Sequence, residues 1–568
     1  MTTGQGGTSS GKGEPPATDQ REIEWQLDAA DLDPVEGWLG RHTSESSGLV
    51  VDPEPTVEIT DAYYDTEDWR LYRAGYALRV RETDGAFEAT MKSLTPSQDS
   101  LRNRREISEP LRDDDPATLG GAGGPVGRRS RLIVGGHGLR RLFPIRTHRR
   151  RFALLLGDSS GEDRDFARAG ELSLDASELS VGGELVCLRR VEVEAEPGTA
   201  PGAGLQGLVD EMQAALDLTP ATLSKYETGL YACGFDPEGD NSFGPTHIDP
   251  SMSVGEVAFA VLRRQFAEMR SHEAGTRLGE DPEELHDMRV PTRRMRAAIK
   301  AFENVLPEKA LWFGEELRWV AKTLGEVRDL DVQIERFEAL KREADRESTE
   351  YLERIVRITQ KRRAEARTGM LAVLDSGRYE RLESSLSRML RLGPGGEPSQ
   401  TDGHDPAGAP VTAAAPALIS RRYRKWRKAA KRLDETSSPA AFHDVRKKGK
   451  RLRYVLEYFS EVYGKPVQKL VEPLKALQDD LGDHQDAVVA AGYLRELGTK
   501  TGSTRVPRGV VFAMGVYSER CASGAKDLRR TVPGSKPFRV LKKGKKWRQF
   551  EKVLEDQNRV HVPGESVR

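Results

Sequence analysis

Between residues 21 and 235, apolar and charged positions alternate with period two. The stretches REIEWQL, YALRVRE, FEATMKS, RREISEP, LSLDASEL and RRVEVEAEP all show it, and the pattern predicts strands whose successive side chains point to opposite faces. From residue 251 onward the period lengthens to that of amphipathic helices, in sequence rich in Ala, Leu, Arg and Glu. Gly- and Pro-rich stretches at 236–250 and 393–417 read as linkers, residues 1–20 as a disordered Gly/Ser/Pro tail and 558–568 as a C-terminal tail. The expected fold class is therefore α+β and multidomain. An antiparallel β-barrel with flanking helices spans 21–235, and an all-α domain spans 251–557 as two helical-bundle halves, 251–392 and 418–557.

Both faces of the strands are committed. Ile23, Trp25 and Leu27, Leu78 and Val80, and Val191 and Val193 form an apolar face that helices can cover. The alternate positions carry Glu22 and Glu24, Arg79 and Arg81, Thr90 and Lys92, Arg104 and Glu106, and Glu192 and Glu194. In a closed barrel these point inward and line a polar lumen. Paired carboxylates are hard oxygen ligands for Mg²⁺ or Mn²⁺, and Arg and Lys donate to phosphate oxygens. A polar strand face more commonly meets water, so what distinguishes this set is charge of both signs on strand after strand.

The helical part is a duplication. LHDMRVPTRRMRAAIKAF (285–302) aligns without a gap on FHDVRKKGKRLRYVLEYF (442–459). His286 meets His443, Asp287 meets Asp444, Arg289 meets Arg446, Arg293 meets Lys450, Arg296 meets Arg453 and Phe302 meets Phe459. In the same register LGEVRD (324–329) meets LGDHQD (481–486), and Arg264, Phe266 and Arg270 meet Arg421, Tyr423 and Arg427. At 100° per residue, His443, Arg446, Lys450 and Arg453 form one cationic stripe beside an apolar side of Leu452, Val455 and Phe459. A charge run by itself is usually a solvated face. Two copies retaining the histidine and the basic spacing point instead to a shared groove for a polyanion.

Charge adds segregation to this picture. The chain of 568 residues carries a formal charge of −2, yet Arg421 to Tyr454 holds fourteen Lys/Arg against three acids. Three cysteines, Cys187, Cys233 and Cys521, lack metal-ligand spacing and suit a reducing cytoplasm. No run of eighteen apolar residues occurs, and the N-terminus lacks an apolar signal core. The expected protein is soluble and cytoplasmic, with no membrane partner. Trp312, Trp426 and Trp547 are expected to pack helices rather than stack on ligands.

The first block resembles a CYTH domain of the triphosphate tunnel metalloenzyme superfamily. The resemblance is carried by EIEWQ (Glu22 to Gln26), YYDTEDWRLYRAGYALRVRE, Lys92, RRE ending at Glu106, RTHRRRFAL, Asp175, Glu192 with Glu194, and SKY with Lys225. It implies a tunnel in which Glu22, Glu24, Asp175, Glu192 and Glu194 bind metal and Arg79, Arg81, Lys92, Arg104, Arg149 and Lys225 hold triphosphate. Glu22, Glu24, Lys92 and Glu106 are the implied catalytic set, with Mg²⁺ or Mn²⁺ as cofactor. Arg146, Arg149, Arg150 and Arg151 offer several registers for the basic strand, and Gln26 stands where the family's first motif ends in lysine.

Residues 251 to 557 resemble a CHAD domain, the conserved-histidine α-helical domain. This implies binding of inorganic polyphosphate by His286, Arg289, Arg293, Arg296, Arg421, Arg427, His443, Arg446, Lys447, Lys450 and Arg453. The two histidines admit either phosphate contact or a structural hydrogen bond. The expectation is a metal-dependent triphosphatase joined to a polyphosphate-binding module, in the cytoplasm and at polyphosphate granules. A non-catalytic polyphosphate binder is the alternative, and a nucleotide cyclase or nucleic-acid binder is less favoured.

Overall fold

The computed structural model describes residues 17–42, 49–95, 100–157, 166–197, 203–395, 406–500 and 506–561. They fall into two compact units, Met1–Ser242 and Phe243–Arg568. The first is the predicted barrel. Strands β1 (Thr18–Ala29), β2 (Leu49–Asp65), β3 (Tyr76–Thr83), β4 (Ala86–Ser93), β5 (Leu101–Leu111), β6 (Arg140–Gly157), β7 (Phe166–Val181) and β8 (Glu184–Ala195) run in the order β5-β4-β3-β2-β6-β7-β8-β1. All pair antiparallel with their neighbours, and pairing of β1 with β5 closes the sheet. A short β9 (Leu218–Pro220) adds to the end of β1.

Closure sends alternate side chains inward, and the outward apolar set makes the core. Trp25, Leu27, Leu172, Leu174, Val191 and Val193 pack under helices α1 (Asp33–His42) and α3 (Ala203–Ala215), which contribute Val35, Trp38, Leu39, Leu205, Leu208 and Met212. On the other side lies α2 (Pro125–Val134), whose first N–H groups, Val126 and Gly127, donate to the Glu109 carboxylate at 3.0 and 3.2 Å. This helix takes up the second half of the Gly-rich stretch GGAGGPVGRRS (120–130), which is long for a simple strand connection. The Tyr-Asp-Thr motif has a structural use: Asp65 accepts N–H bonds from Thr66, Leu71 and Tyr72 and so caps the turn Arg70–Arg73.

The second unit repeats one plan twice. Helices α5 (Val254–Ser271), α6 (Pro282–Ala301), α7 (Lys309–Lys341), α8 (Arg346–Leu374) and α9 (Gly377–Leu392) form the first half. Helices α10 (Val411–Lys431), α11 (Pro439–Tyr458), α12 (Lys465–Lys500), α13 (Arg508–Thr531), α14 (Lys536–Lys543) and α15 (Lys545–His561) form the second. With His286 set on His443, α6 and α11 begin and end at matching positions. A pseudo-twofold axis relates the halves, and equivalent residues meet on it. The Val411 N–H donates to the Met252 carbonyl at 2.9 Å, and the Val254 N–H reciprocally donates to Ala409 at 2.8 Å. Phe302 packs edge-on against its own equivalent, Phe459, at 5.9 Å. One continuous core runs through both halves.

Some boundaries differ from expectation. Strand β1 starts at Thr18, inside the stretch read as a tail, and α10 starts at Val411, inside the stretch read as the linker 393–417. VTAAAPA (411–417) has the Pro and Ala of a linker, but alanine is the strongest helix former. Likewise α15 runs to His561. The tail reading for residues 1–16, the linker reading for 396–405 and the tail reading for 562–568 lie outside the described residues. Trp426 and Trp547 are buried as expected for packing, whereas Trp312 is 41% exposed.

Candidate functional site

Period-two parity places Glu22, Glu24 and Gln26 of β1, Arg79 and Arg81 of β3, Lys92 of β4, Arg104 and Glu106 of β5, Arg149 of β6, and Glu192 and Glu194 of β8 around one lumen of about 140 Å³. Lys225, the first residue of α4 (Lys225–Ala232), reaches in from the end of the barrel. A capping box holds that residue in place. Ser224 Oγ accepts the Glu227 N–H at 3.2 Å, while the Glu227 carboxylate accepts the Ser224 N–H at 2.7 Å.

The lumen is a lattice of ion pairs. Lys92 Nζ bridges Glu22 and Glu106 at 2.6 and 2.7 Å, and Arg104 pairs with Glu24. Arg149 spans Asp175 and Glu192 at 2.6 and 2.7 Å. Lys225 binds Asp175 and lies 3.1 Å from Glu192, and Arg81 makes a two-pronged contact with Asp61 at 2.8 and 2.9 Å. Burial alone disfavours charge on Lys92, but Glu106 and Glu22 more than offset it and raise its pKa. Asp61 and Glu106 are held below the usual carboxylate range, because Arg81 and Arg79 outweigh burial at the former and Lys92 at the latter.

Glu194 is the exception. No Lys or Arg among the described residues pairs with it, and burial together with Glu22, Glu106 and Glu192 pushes its pKa up to about 7. Glu22 Oε2 is buried with no hydrogen-bond partner. The charge balance thus leaves surplus carboxylate oxygen at this end of the lumen, which suits a hard divalent cation. Among the described residues no group of three or more His, Cys, Asp or Glu is already arranged to hold a metal ion, because the other acids turn onto lysine and arginine. Asp175, expected among the metal ligands, is fully buried, with both oxygens bound by Arg149 and one also by Lys225. In this arrangement it anchors two cations.

Gln26 donates its amide N–H to Glu24 Oε1 at 3.0 Å and to Glu192 Oε1 at 3.3 Å, and its own Oε1 is buried without a partner. A neutral donor therefore stands between two acids. Of the basic strand, Arg149 alone lines the lumen; Arg150 pairs with Asp33 and Glu36, and Arg151 with Glu54 and Glu171. Tyr63, Glu88, Ser224 and Tyr226 of the lining were not among the expected site residues, nor was Asp61, which anchors Arg81. Parity on β2, which puts Asp61 and Tyr63 on one side, was the available signal for those two.

In the helical unit the two stripes converge. Lys450 of α11 has Arg293 and Arg289 of α6 and Arg446 and Arg453 of its own helix as its electrostatic neighbours. Burial and these four lower its pKa to about 7. The Nε groups of Arg293, Arg446 and Arg453 are buried without hydrogen-bond partners, as are Nδ1 of His286 and of His443. Burial and nearby cations lower the pKa of both histidines: Arg328 beside His286, and Lys447 beside His443, which also bonds Gln485. Two equivalent glycines lie against the arginines. A Cβ on Gly325 of α7 would lie 3.4 Å from the Arg289 guanidinium, and one on the equivalent Gly482 of α12 would lie 3.5 Å from that of Arg446.

This seam gathers Arg289, Arg293, Arg446, Lys450 and Arg453, flanked by His286 and His443, with Lys447 exposed on the same helix. The remaining expected members have other surroundings. Arg296 has Arg318, Glu315 and Arg451 as charged neighbours, Arg421 reaches Glu303 at 3.7 Å, and Arg427 lines a cleft with Tyr423 and Trp547. Arg328, beside His286, was not among the expected residues.

Together these features define a chain with an eight-stranded tunnel domain of mixed charge followed by a duplicated helical bundle with a cationic seam. Residues 43–216 match the CYTH domain and residues 260–495 match the CHAD domain, so the chain carries a CYTH domain followed by a CHAD domain. Two uncharacterized proteins of Mycobacterium tuberculosis are 31% identical over 223 residues, which is 37% of this chain and 39% of theirs. The match thus spans about two fifths of those relatives. Among solved structures, the CHAD domain of the plant Ricinus communis is 26% identical and covers 51% of this chain and 94% of its own, with a TM-score of 0.42. PptA from Streptomyces chartreusis is 18% identical over 52% and 99%, with a TM-score of 0.40. A Hippeastrum protein described as having a dominant triphosphatase activity is 18% identical over 38% and 97%, with a TM-score of 0.27. No helix among the described residues is long and apolar enough to cross a membrane.

Proposed function

We propose that the barrel is a metal-dependent hydrolase of inorganic triphosphate or a related phosphate chain, and that the helical unit binds inorganic polyphosphate along its seam. The observation that carries the first part is the pairing pattern of the lumen: six cations aimed at one axis, beside a surplus of carboxylate oxygen at Glu194 and Glu22. Phosphate oxygens entering the lumen take over Lys92, Arg104 and Arg149, and this frees Glu22, Glu24, Glu106 and Glu192 from their ion pairs. A Mg²⁺ or Mn²⁺ ion held by Glu22, Glu194 and their neighbours Glu24 and Glu192 would polarise the phosphoryl group and supply an activated water. Arg79, Arg81, Arg149 and Lys225 orient the chain and stabilise charge spreading over its oxygens.

The second part rests on the seam. Five cations from two halves share it, with Asp329 4.0 Å from Arg289 and Glu457 3.6 Å from Arg453 as the acids at its edges, and burial among the other four holds the pKa of Lys450 near 7 until an anion arrives. Purified protein is incubated with triphosphate, ATP and long polyphosphate, with Mg²⁺, Mn²⁺ or EDTA, and released phosphate is measured. Metal-dependent release from triphosphate is expected, and its absence overturns the hydrolase. A specific residue favours a second reading, a non-catalytic polyphosphate binder. Gln26 adds no positive charge between Glu24 and Glu192, and binding without release identifies that case. Cyclic AMP formed from ATP would identify a cyclase instead.

A further inference from the structure

The seam uses the side of α11 that faces α6. It leaves unexplained a second set of cations on α10 and on the opposite side of α11. Arg421 to Arg432 holds eight Lys/Arg and no acid, whereas the matching stretch of the first half, Arg264 to Gly275, holds two arginines and two glutamates. Lys425 falls opposite Glu268, Lys428 opposite Ser271, Arg432 opposite Gly275 and Lys448 opposite Pro291. The shared packing scheme does not require these cations, because the first half packs without them.

Lys425, Lys428 and Arg432 form one bank of a groove of about 550 Å³, and Lys448 and Arg451 form the other. Its floor is Ala429, Leu433, Ala441 and Val445. Lys425, Lys428, Arg432 and Arg451 are exposed, and no carboxylate among the described residues pairs with any of them. The one acid of the groove, Asp444, is held by Lys448 at 2.6 Å. Arg421 foremost, with Arg422 and Arg451, crowds Lys425 and lowers its pKa. Such accumulation of like charge is unfavourable until a polyanion neutralises it.

The ligand class follows from what the groove lacks. Tyr423, Trp426 and Trp547 of this region are buried, Tyr423 and Trp547 being stacked on each other at 3.8 Å. Among the described residues no ring lines the groove for a base to stack on, as single-stranded nucleic acid would require. A path also joins groove and seam: around α11, the exposed Lys447 and Arg451 lie between His443 and Lys450 on one side and Asp444 and Lys448 on the other.

We propose that the α10–α11 groove is a second polyphosphate-binding surface, which holds the part of a long chain that runs out of the seam. The proposal rests on the seam reading above. A short chain fills the seam alone, whereas a long one gains the second contact intramolecularly.

The test measures binding of short-chain and long-chain inorganic polyphosphate to the full chain at fixed salt. The groove variant Lys425→Glu, Lys428→Ser, Arg432→Gly installs the residues that the first half already carries. Its long-chain affinity is expected to fall about tenfold with short-chain affinity unchanged. Unchanged long-chain affinity overturns the proposal, and so does an equal loss for both lengths. Displacement of long polyphosphate from the groove by single-stranded DNA of equal charge overturns the choice of ligand. A seam variant, Arg446→Glu with Lys450→Glu, runs in parallel. If it binds short chains as the wild type does, the seam reading fails, while the long-chain arm still decides the groove.

Discussion

Two residues carry titrations with measurable consequences. Lys450 has a pKa of about 7 because it is partly buried among Arg293, Arg446, Arg453 and Arg289. Above that pH the free side chain is neutral, and a bound polyanion must restore its proton. Polyphosphate affinity should therefore fall by up to about tenfold per unit as pH rises from 7 to 9. Lys450→Arg, which stays charged, should flatten this profile in a binding titration. His484 of α12 is fully buried against Phe442, with neither ring nitrogen bonded, and burial lowers its pKa to about 4. Its folded pKa is below its unfolded value of 6.5, so the unfolded chain binds more protons between those limits. Stability from this group is complete above pH 6.5 and declines as pH falls toward 4. Thermal melting over that range should show a drop of about 2–4 °C that His484→Leu removes.

At the scale of elements, α4 shows how packing sets the site. Gly229 faces Phe143 of β6 so closely that an added Cβ would come 2.1 Å from the ring, and the same helix begins with Lys225. Gly229→Ala should destabilise the barrel by about 1–3 kcal/mol and weaken triphosphate binding by displacing Lys225, as read by melting and by calorimetric titration. Such close approaches are not legible in sequence. What was legible followed from period: the alternation of β1, β3 and β8 put Glu22, Arg79 and Glu192 inside, and the ungapped repeat gave α6 and α11 the same ends. Which acid serves which cation was hidden, because Asp61 meets Arg81, and Asp175 meets Arg149 and Lys225, only through strand and helix neighbours. A helical wheel likewise groups the cations of α11 without saying which side faces α6.

At the scale of the molecule, barrel and bundle have separate cores, built from Trp25, Leu174 and Val193 in one and Phe266, Phe302 and Trp426 in the other. Differential scanning calorimetry should resolve two transitions. Triphosphate with Mn²⁺ should raise the barrel's transition more than the bundle's, and long polyphosphate the bundle's more than the barrel's, because a ligand stabilises the state it binds in proportion to its affinity. The reciprocal bonds of Met252 with Val411 and of Ala409 with Val254 show how faithfully the backbone was doubled, while Glu268 and Lys425 show that the surfaces were then free to diverge. A phosphate thread looks the same from either end, yet the host laid along it does not. One flank is sticky and the other bare, so the doubled fold has acquired a head and a tail, and a strand held at its middle would trail off in a single direction.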